Sequence, residues 1–129
     1  MRFCTVINCM DGRVQLPVME YLQRRFDALY VDSITEAGPN RILAEQQDAV
    51  ESILERLKIS VNKHHSVGIA VVGHHDCAGN PAPKEQQEVH IRRAVRFLKE
   101  RFEGIQVIGL WVDENWKVQE IAPEDPGTR

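Results

Sequence analysis

No excess of positive charge runs through this chain. Its 16 Lys and Arg are outnumbered by 19 Asp and Glu, for a formal net charge of -3. The broad basic field that would attract nucleic acid or an anionic membrane is therefore missing. Long hydrophobic runs are missing too. The longest, VGIAVVG over Val67 to Gly73, is far shorter than the ~20 residues of a spanning helix. The N-terminus, MRFCTVINC, has neither the apolar stretch nor the small-residue cleavage site of a secretory signal, and a cytoplasmic location is expected. Cysteine is scarce and odd in number: Cys4, Cys9 and Cys77. With no secretion signal, that count argues against a disulfide framework and for metal or thiol chemistry. Repeats and low-complexity linkers are absent. A chain of 129 residues, 43% hydrophobic and 27% charged, suits a single domain over residues 1–129 with its own core. Residues from about 122 to 129, APEDPGTR, read as a loose tail.

What is present alternates between strand and helix patterns. Arg2 to Asn8 is β-branched and apolar and predicts a first strand. Pro17 suits the first turn of a helix, and Leu16, Met19, Leu22 and Phe26 follow at helical spacing. Ala28 to Ile34 predicts a second strand, and EAGPN a loop. From about Ile42 to Asn62 one helix is expected, with Leu43, Val50, Leu54, Leu57 and Val61 as its apolar stripe. Val67 to Gly73 is continuously apolar, as a central parallel strand covered on both faces would be. A helix from about Lys84 to Phe102 presents Ile91, Ala94, Val95, Leu98 and Phe102. Ile105 to Val112 predicts another strand, and Trp116 to Ile121 a short edge strand joined to it by the DEN turn. The expected fold is α/β: a mostly parallel sheet of about four to five strands flanked by helices.

Two polar knots stand out: NCMDGR (Asn8 to Arg13) and GHHDCAGN (Gly73 to Asn80). Each directly follows a predicted strand, where ligands bind in open α/β sheets. If those strands are neighbours, Cys9, His74 and Cys77 converge. Two thiolates and an imidazole form a borderline-soft set matched to zinc. Three protein ligands leave a fourth tetrahedral position open, as in catalytic zinc sites. Either His74 or His75 can serve. His74 is preferred for its place at the strand end and its i, i+3 spacing to Cys77. Asp11 beside Arg13 can be held ionised and oriented, ready to accept a hydrogen bond from water on the metal. Three residues between Cys9 and Arg13 are too few for a cysteine phosphatase loop, and no C-x-x-C exists for a thioredoxin-like centre. Cys4, facing the same side as Val6, reads as a small core residue. His64 and His65 fall near a helix end. His90, Trp111 and Trp116 are expected on the surface (His90) and in packing roles (the tryptophans), with some of the apolar surplus, Trp111 included, left over for a subunit contact.

C-x-D-x-R after the first strand, then H-x-x-C within GHHDCAG after a later one, resembles the β-class carbonic anhydrases. The resemblance runs over most of Arg2 to Ile121 and includes GLWVDENWKVQEI, similar to that family's closing strand pair. It implies that Cys9, His74 and Cys77 bind Zn2+. It implies that Asp11 and Arg13 form a catalytic dyad, or that Asp11, freed from Arg13, takes the fourth zinc position. The activity implied is reversible hydration of carbon dioxide to bicarbonate by water activated on zinc, in a homodimer or higher homo-oligomer. Related expectations are hydrolysis of carbonyl sulfide or carbon disulfide at the same site, and an idle zinc-binding module acting through a partner. The family's N-terminal arm and a pocket glutamine have no counterpart in this chain. Where relatives commonly read R-N-A-G-N, TEAGPN places Thr35 and Glu36. Glu36 would bring negative charge to the zinc if oriented towards it.

Overall fold

The computed structural model describes residues 2–123, so the expected tail lies almost wholly outside the described residues. The elements follow the order β1 (Phe3–Cys9), a 3-10 turn (Gly12–Val14), α1 (Gln15–Arg25), β2 (Tyr30–Glu36), α2 (Pro39–Glu45), α3 (Val50–Lys63), β3 (Gly68–His74), α4 (Lys84–Arg101), β4 (Gln106–Val112) and β5 (Val118–Ile121). The sheet has five strands in the order β2-β1-β3-β4-β5. All pairings are parallel except that of β4 with β5. The α/β architecture expected from the sequence is the one observed. No helix among the described residues is long and apolar enough to cross a membrane.

Alternation along the central strands divides the core into two layers. Cys4 and Val6 of β1, and Ala70 and Val72 of β3, pack beneath α1 with Val14, Val18, Leu22 and Phe26. Ile7, Ile69 and Val71 face the other way, against Ile53, Leu54 and Leu57 of α3 and Ala94 and Leu98 of α4. Every residue of β3 is buried, as its unbroken apolar run requires. Cys4 is a core residue, as expected.

Three expectations are corrected. The helix expected over Ile42 to Asn62 is two helices, because Gln46 turns left-handed (φ 51°) and ends α2. Apolar spacing alone carries no trace of that break: Leu43 and Val50 fit one stripe whether or not the axis bends between them. On α1 the inward stripe runs from Val14 of the 3-10 turn through Val18 to Leu22 and Phe26, the last two as expected, while Leu16 is 65% exposed and Met19 only partly buried. The phase is set by the 3-10 turn, which tucks Val14 under the sheet with its carbonyl held by Asn8 Nδ2 at 3.2 Å. Finally, His90 is only 4% exposed and Trp111 is equally buried, packed with Ile91 and Ile121. His90 is therefore no surface residue, and Trp111 is not available to a subunit contact.

The winding reverses between β1 and β3. The chain leaves β1 for β2 on one side, then returns to place β3 on the other. The crevice beyond the carboxyl ends of these neighbours is where such folds bind ligands. Cys9 ends β1 and His74 ends β3.

Candidate metal centre

Three loops build the centre. The first follows β1. It is anchored by the Met10 N–H to the Glu36 carbonyl (2.8 Å) and by Gln15 Nε2, which donates to the carbonyls of Cys9 (2.7 Å) and Asp11 (2.9 Å). The second follows β3, where the His75 N–H bonds the Val112 carbonyl of β4 (2.9 Å). Asp76 turns left-handed (φ 57°), bringing Cys77 back towards β1. The third joins β2 to α2 through Gly38 (φ 64°), and it packs backbone to backbone on Gly79. A Cβ on Gly79 would lie 2.4 Å from the Ala37 carbonyl carbon, and one on Gly38 would lie 2.7 Å from that of Gly79. Glycine at both positions is a requirement of this close approach.

The loops bring Cys9, His74 and Cys77 together, all buried, with their ligand atoms within 4.8 Å of one another. The two sulfurs are 3.8 Å apart. The member of this group is His74. His75 is exposed and lies edge-on to Trp116, with ring centroids 6.4 Å apart. Nδ1 of His74 meets the His75 carbonyl at 2.7 Å, which makes Nδ1 the protonated nitrogen and leaves a lone pair on Nε2. Nε2 is buried with no hydrogen-bond partner. An unpartnered buried nitrogen beside two thiols is costly, and a metal ion resolves it.

The electrostatics agree. Cys9 is strongly acidified, first by the Cys77 thiol hydrogen-bonded to it, then by His74 and by the backbone N–H groups of Gly38 and Asp11, against the opposing effect of burial. Cys77 is pushed up by its bond to Cys9 and by burial. The two sulfurs titrate as a pair that readily gives up one proton and holds the other. Burial disfavours a charged His74, but the Cys9 sulfur raises it on balance. Without a cation, negative charge on sulfur is stabilised only by neighbouring protons. A divalent ion would take that place. The residues present therefore fit a metal with thiolate and imidazole ligands. Cys9, His74 and Cys77 could hold one.

Asp11 and Arg13 meet as expected, in a fork. Arg13 Nη2 lies 2.7 Å from Asp11 Oδ2, and its Nε lies 3.0 Å from Oδ1. The Asp11 carboxyl is held down at about 2, chiefly by these hydrogen bonds. Arg13 is itself seated, with Nη2 donating to the Asp76 carbonyl (3.1 Å) and its guanidinium 4.5 Å above the Trp116 ring. Trp116, read from sequence as a packing residue, thus also braces the dyad. Glu36 forms an ion pair with Arg56 of α3, so its charge is neutralised within the protein. His64 bonds Asp32 (2.6 Å) and stacks on Phe3. Sequence reasoning missed Asn40, Asn80 and Gln87, which are buried beside His74. One signal was available: Gln87 is a polar residue in the α4 stripe, one turn before Ile91.

Residues 1–122 match a family model described as "Putative carbonic anhydrase". No curated protein matches the chain. Among solved structures, the β-carbonic anhydrase CafA of Aspergillus fumigatus is similar, with a TM-score of 0.66 at 15% identity over 97% of this chain and 77% of that one. One of two tetrameric β-carbonic anhydrases from Sordaria macrospora gives a TM-score of 0.67 at 11% identity, over 94% and 80%. Carbonic anhydrase from Glaciozyma antarctica gives 0.60 at 19% identity, over 92% and 81%. At these identities the solved structures establish the fold, and the family model establishes membership. The chain belongs to the carbonic anhydrase family that the model describes, built on the β-class fold.

Proposed function

We propose that this protein is a zinc-dependent carbonic anhydrase that interconverts carbon dioxide and bicarbonate. The observation carrying the reading is that three soft donors converge in the crevice while Asp11 is held apart by Arg13 and is not among the ligand group. That is the three-ligand pattern of a catalytic zinc site. Zinc bound there supplies Lewis acidity, which brings the pKa of water at the metal down towards ~7 in sites of this kind. Cys9 and Cys77 provide the negative charge and His74 Nε2 the third donor. Asp11 is kept ionised by Arg13 and accepts a hydrogen bond from the attacking water, orienting its lone pair towards the carbon of the substrate. Arg13, braced by Asp76 and Trp116, keeps that carboxylate from turning onto the metal. Assembly as a homo-oligomer is part of the proposal and draws on the tetrameric Sordaria macrospora relatives.

Stopped-flow carbon dioxide hydration from about pH 6.5 to 9, on protein of verified zinc content, tests the reading. A rate well above buffer that climbs with pH is expected. Zinc-loaded protein with no rate at any pH would remove the assignment.

A further inference from the structure

The polar side chains buried behind β3 have no part in the reaction proposed above, and Gln87 is their centre. It lies on α4 and is 1% exposed. Its Oε1 accepts from the backbone N–H of His74 (3.2 Å) and from Asn40 Nδ2 (3.3 Å). Its Nε2 donates to the carbonyls of His74 (2.9 Å), Asn80 (3.1 Å) and Ala82 (3.2 Å). Two hydrogens serve three carbonyls, so one bond is shared. The orientation of the amide is settled by its partners, because a flipped amide would set N–H against the His74 N–H.

The location explains the need. The His75 N–H points to β4, so by strand alternation the N–H and carbonyl of His74 face β1. The ladder between β1 and β3 ends at Ile7 and Val71, short of His74. The Gln87 amide fills both hydrogen-bonding positions that a strand neighbour would otherwise occupy. It also ties His74 to the loop leaving Cys77 through Asn80 and Ala82. Gly73 makes room for it: a Cβ there would lie 2.9 Å from Gln87 Oε1 and 2.7 Å from Asn40 Nδ2.

We propose that Gln87 is a positioning residue for the metal centre, fixing the backbone of His74 so that Nε2 meets the two sulfurs. The inference rests on the metal reading above but not on the reaction. The test is titration of the metal-free chain with Co2+, read by its optical spectrum. Thiolate-to-cobalt bands report Cys9 and Cys77, and the d–d bands report coordination geometry. Gln87→Met should weaken Co2+ binding about 10- to 100-fold, as loss of supporting hydrogen bonds does at other metal sites. The thiolate bands should persist while the d–d bands change. Gly73→Ala deletes no hydrogen-bonding group but crowds the same amide. It should act in the same direction, and it serves as the reading if Gln87→Met does not fold.

Wild-type affinity and d–d bands in either folded variant would overturn the proposal. So would an equal change in Leu57→Ala, which opens a cavity in the α3 layer, since the effect would then be general destabilisation. A wild-type chain that takes up no Co2+ sinks both this inference and the metal reading. One that binds Co2+ normally, yet hydrates no carbon dioxide as the zinc form, removes only the reaction.

Discussion

The two ring nitrogens of His74 are in different situations, and the difference decides what this residue can do. Nδ1 is committed to a backbone carbonyl, while Nε2 is buried without a hydrogen-bond partner in the group formed with the two cysteines. Replacing Cys9, His74 or Cys77 singly with Ala should abolish tight zinc binding, measured by metal content after dialysis against a weak chelator. Full occupancy in any one variant would strike that residue from the ligand set. Asp11 has a separate role. Asp11→Asn keeps the shape but loses the charge-assisted fork with Arg13, so zinc content should be retained while turnover falls by roughly 10²-fold or more. Unchanged kcat at full zinc occupancy would disprove the dyad. These five residues were legible because motif spacing places them just after strands. Gln87 was not, since its partners are backbone groups 5 to 13 residues away, which leave no mark on residue type, and the Asn40 side chain 47 residues away, which only the fold brings near.

Elements show where periodicity is sufficient and where it is not. On α1, Leu16 and Met19 compete with Val14 and Val18 to lead into an inward stripe that ends in Leu22 and Phe26 either way, and the 3-10 turn before the helix selects Val14 and Val18. Leu22→Ala should cost about 2–5 kcal/mol in urea unfolding, and Leu16→Ala no more than about 0.5 kcal/mol. Equal costs would reverse the assigned phase. The contact between the Gly38 and Gly79 loops is equally specific. A methyl group on Gly79 meets backbone at 2.4 Å, which no rotamer change relieves. Gly79→Ala should destabilise by about 1–3 kcal/mol and weaken zinc binding, because the Gly38 and Gly79 N–H groups favour negative charge on the Cys9 and Cys77 sulfurs, respectively. Wild-type zinc affinity in that variant would separate the loop contact from the metal centre.

Across the whole molecule, the packing of α2 and α4 against β3 buries His90 among Asn80, Gln86 and Glu45. Burial holds its pKa below the ordinary value. Glu45 opposes that shift, while Arg41 and Arg93 add to it. The unfolded chain therefore binds a proton at His90 more readily than the folded one. Stability is fully present above the ordinary histidine value of about 6.5 and declines as pH falls below it. The stability advantage of wild type over His90→Gln, measured by urea unfolding of metal-free protein, should shrink between about pH 7 and 5. An advantage constant over that range would show that His90 titrates alike in both states.

By itself the sequence determined the strand and helix alternation, the five residues of the two knots and the soft character of their donors. Those are local properties: side-chain period follows backbone period, and ligand chemistry follows residue type. The adjacency of β1 and β3, the break at Gln46, the phase of α1, the burial of His90 and the pinning of His74 by Gln87 were decided only in three dimensions. The strand adjacency, the burial of His90 and the pinning of His74 depend on contacts between separate elements, selected by the geometry of the assembled sheet; the break at Gln46 and the phase of α1 are local backbone turns that side-chain periodicity does not record.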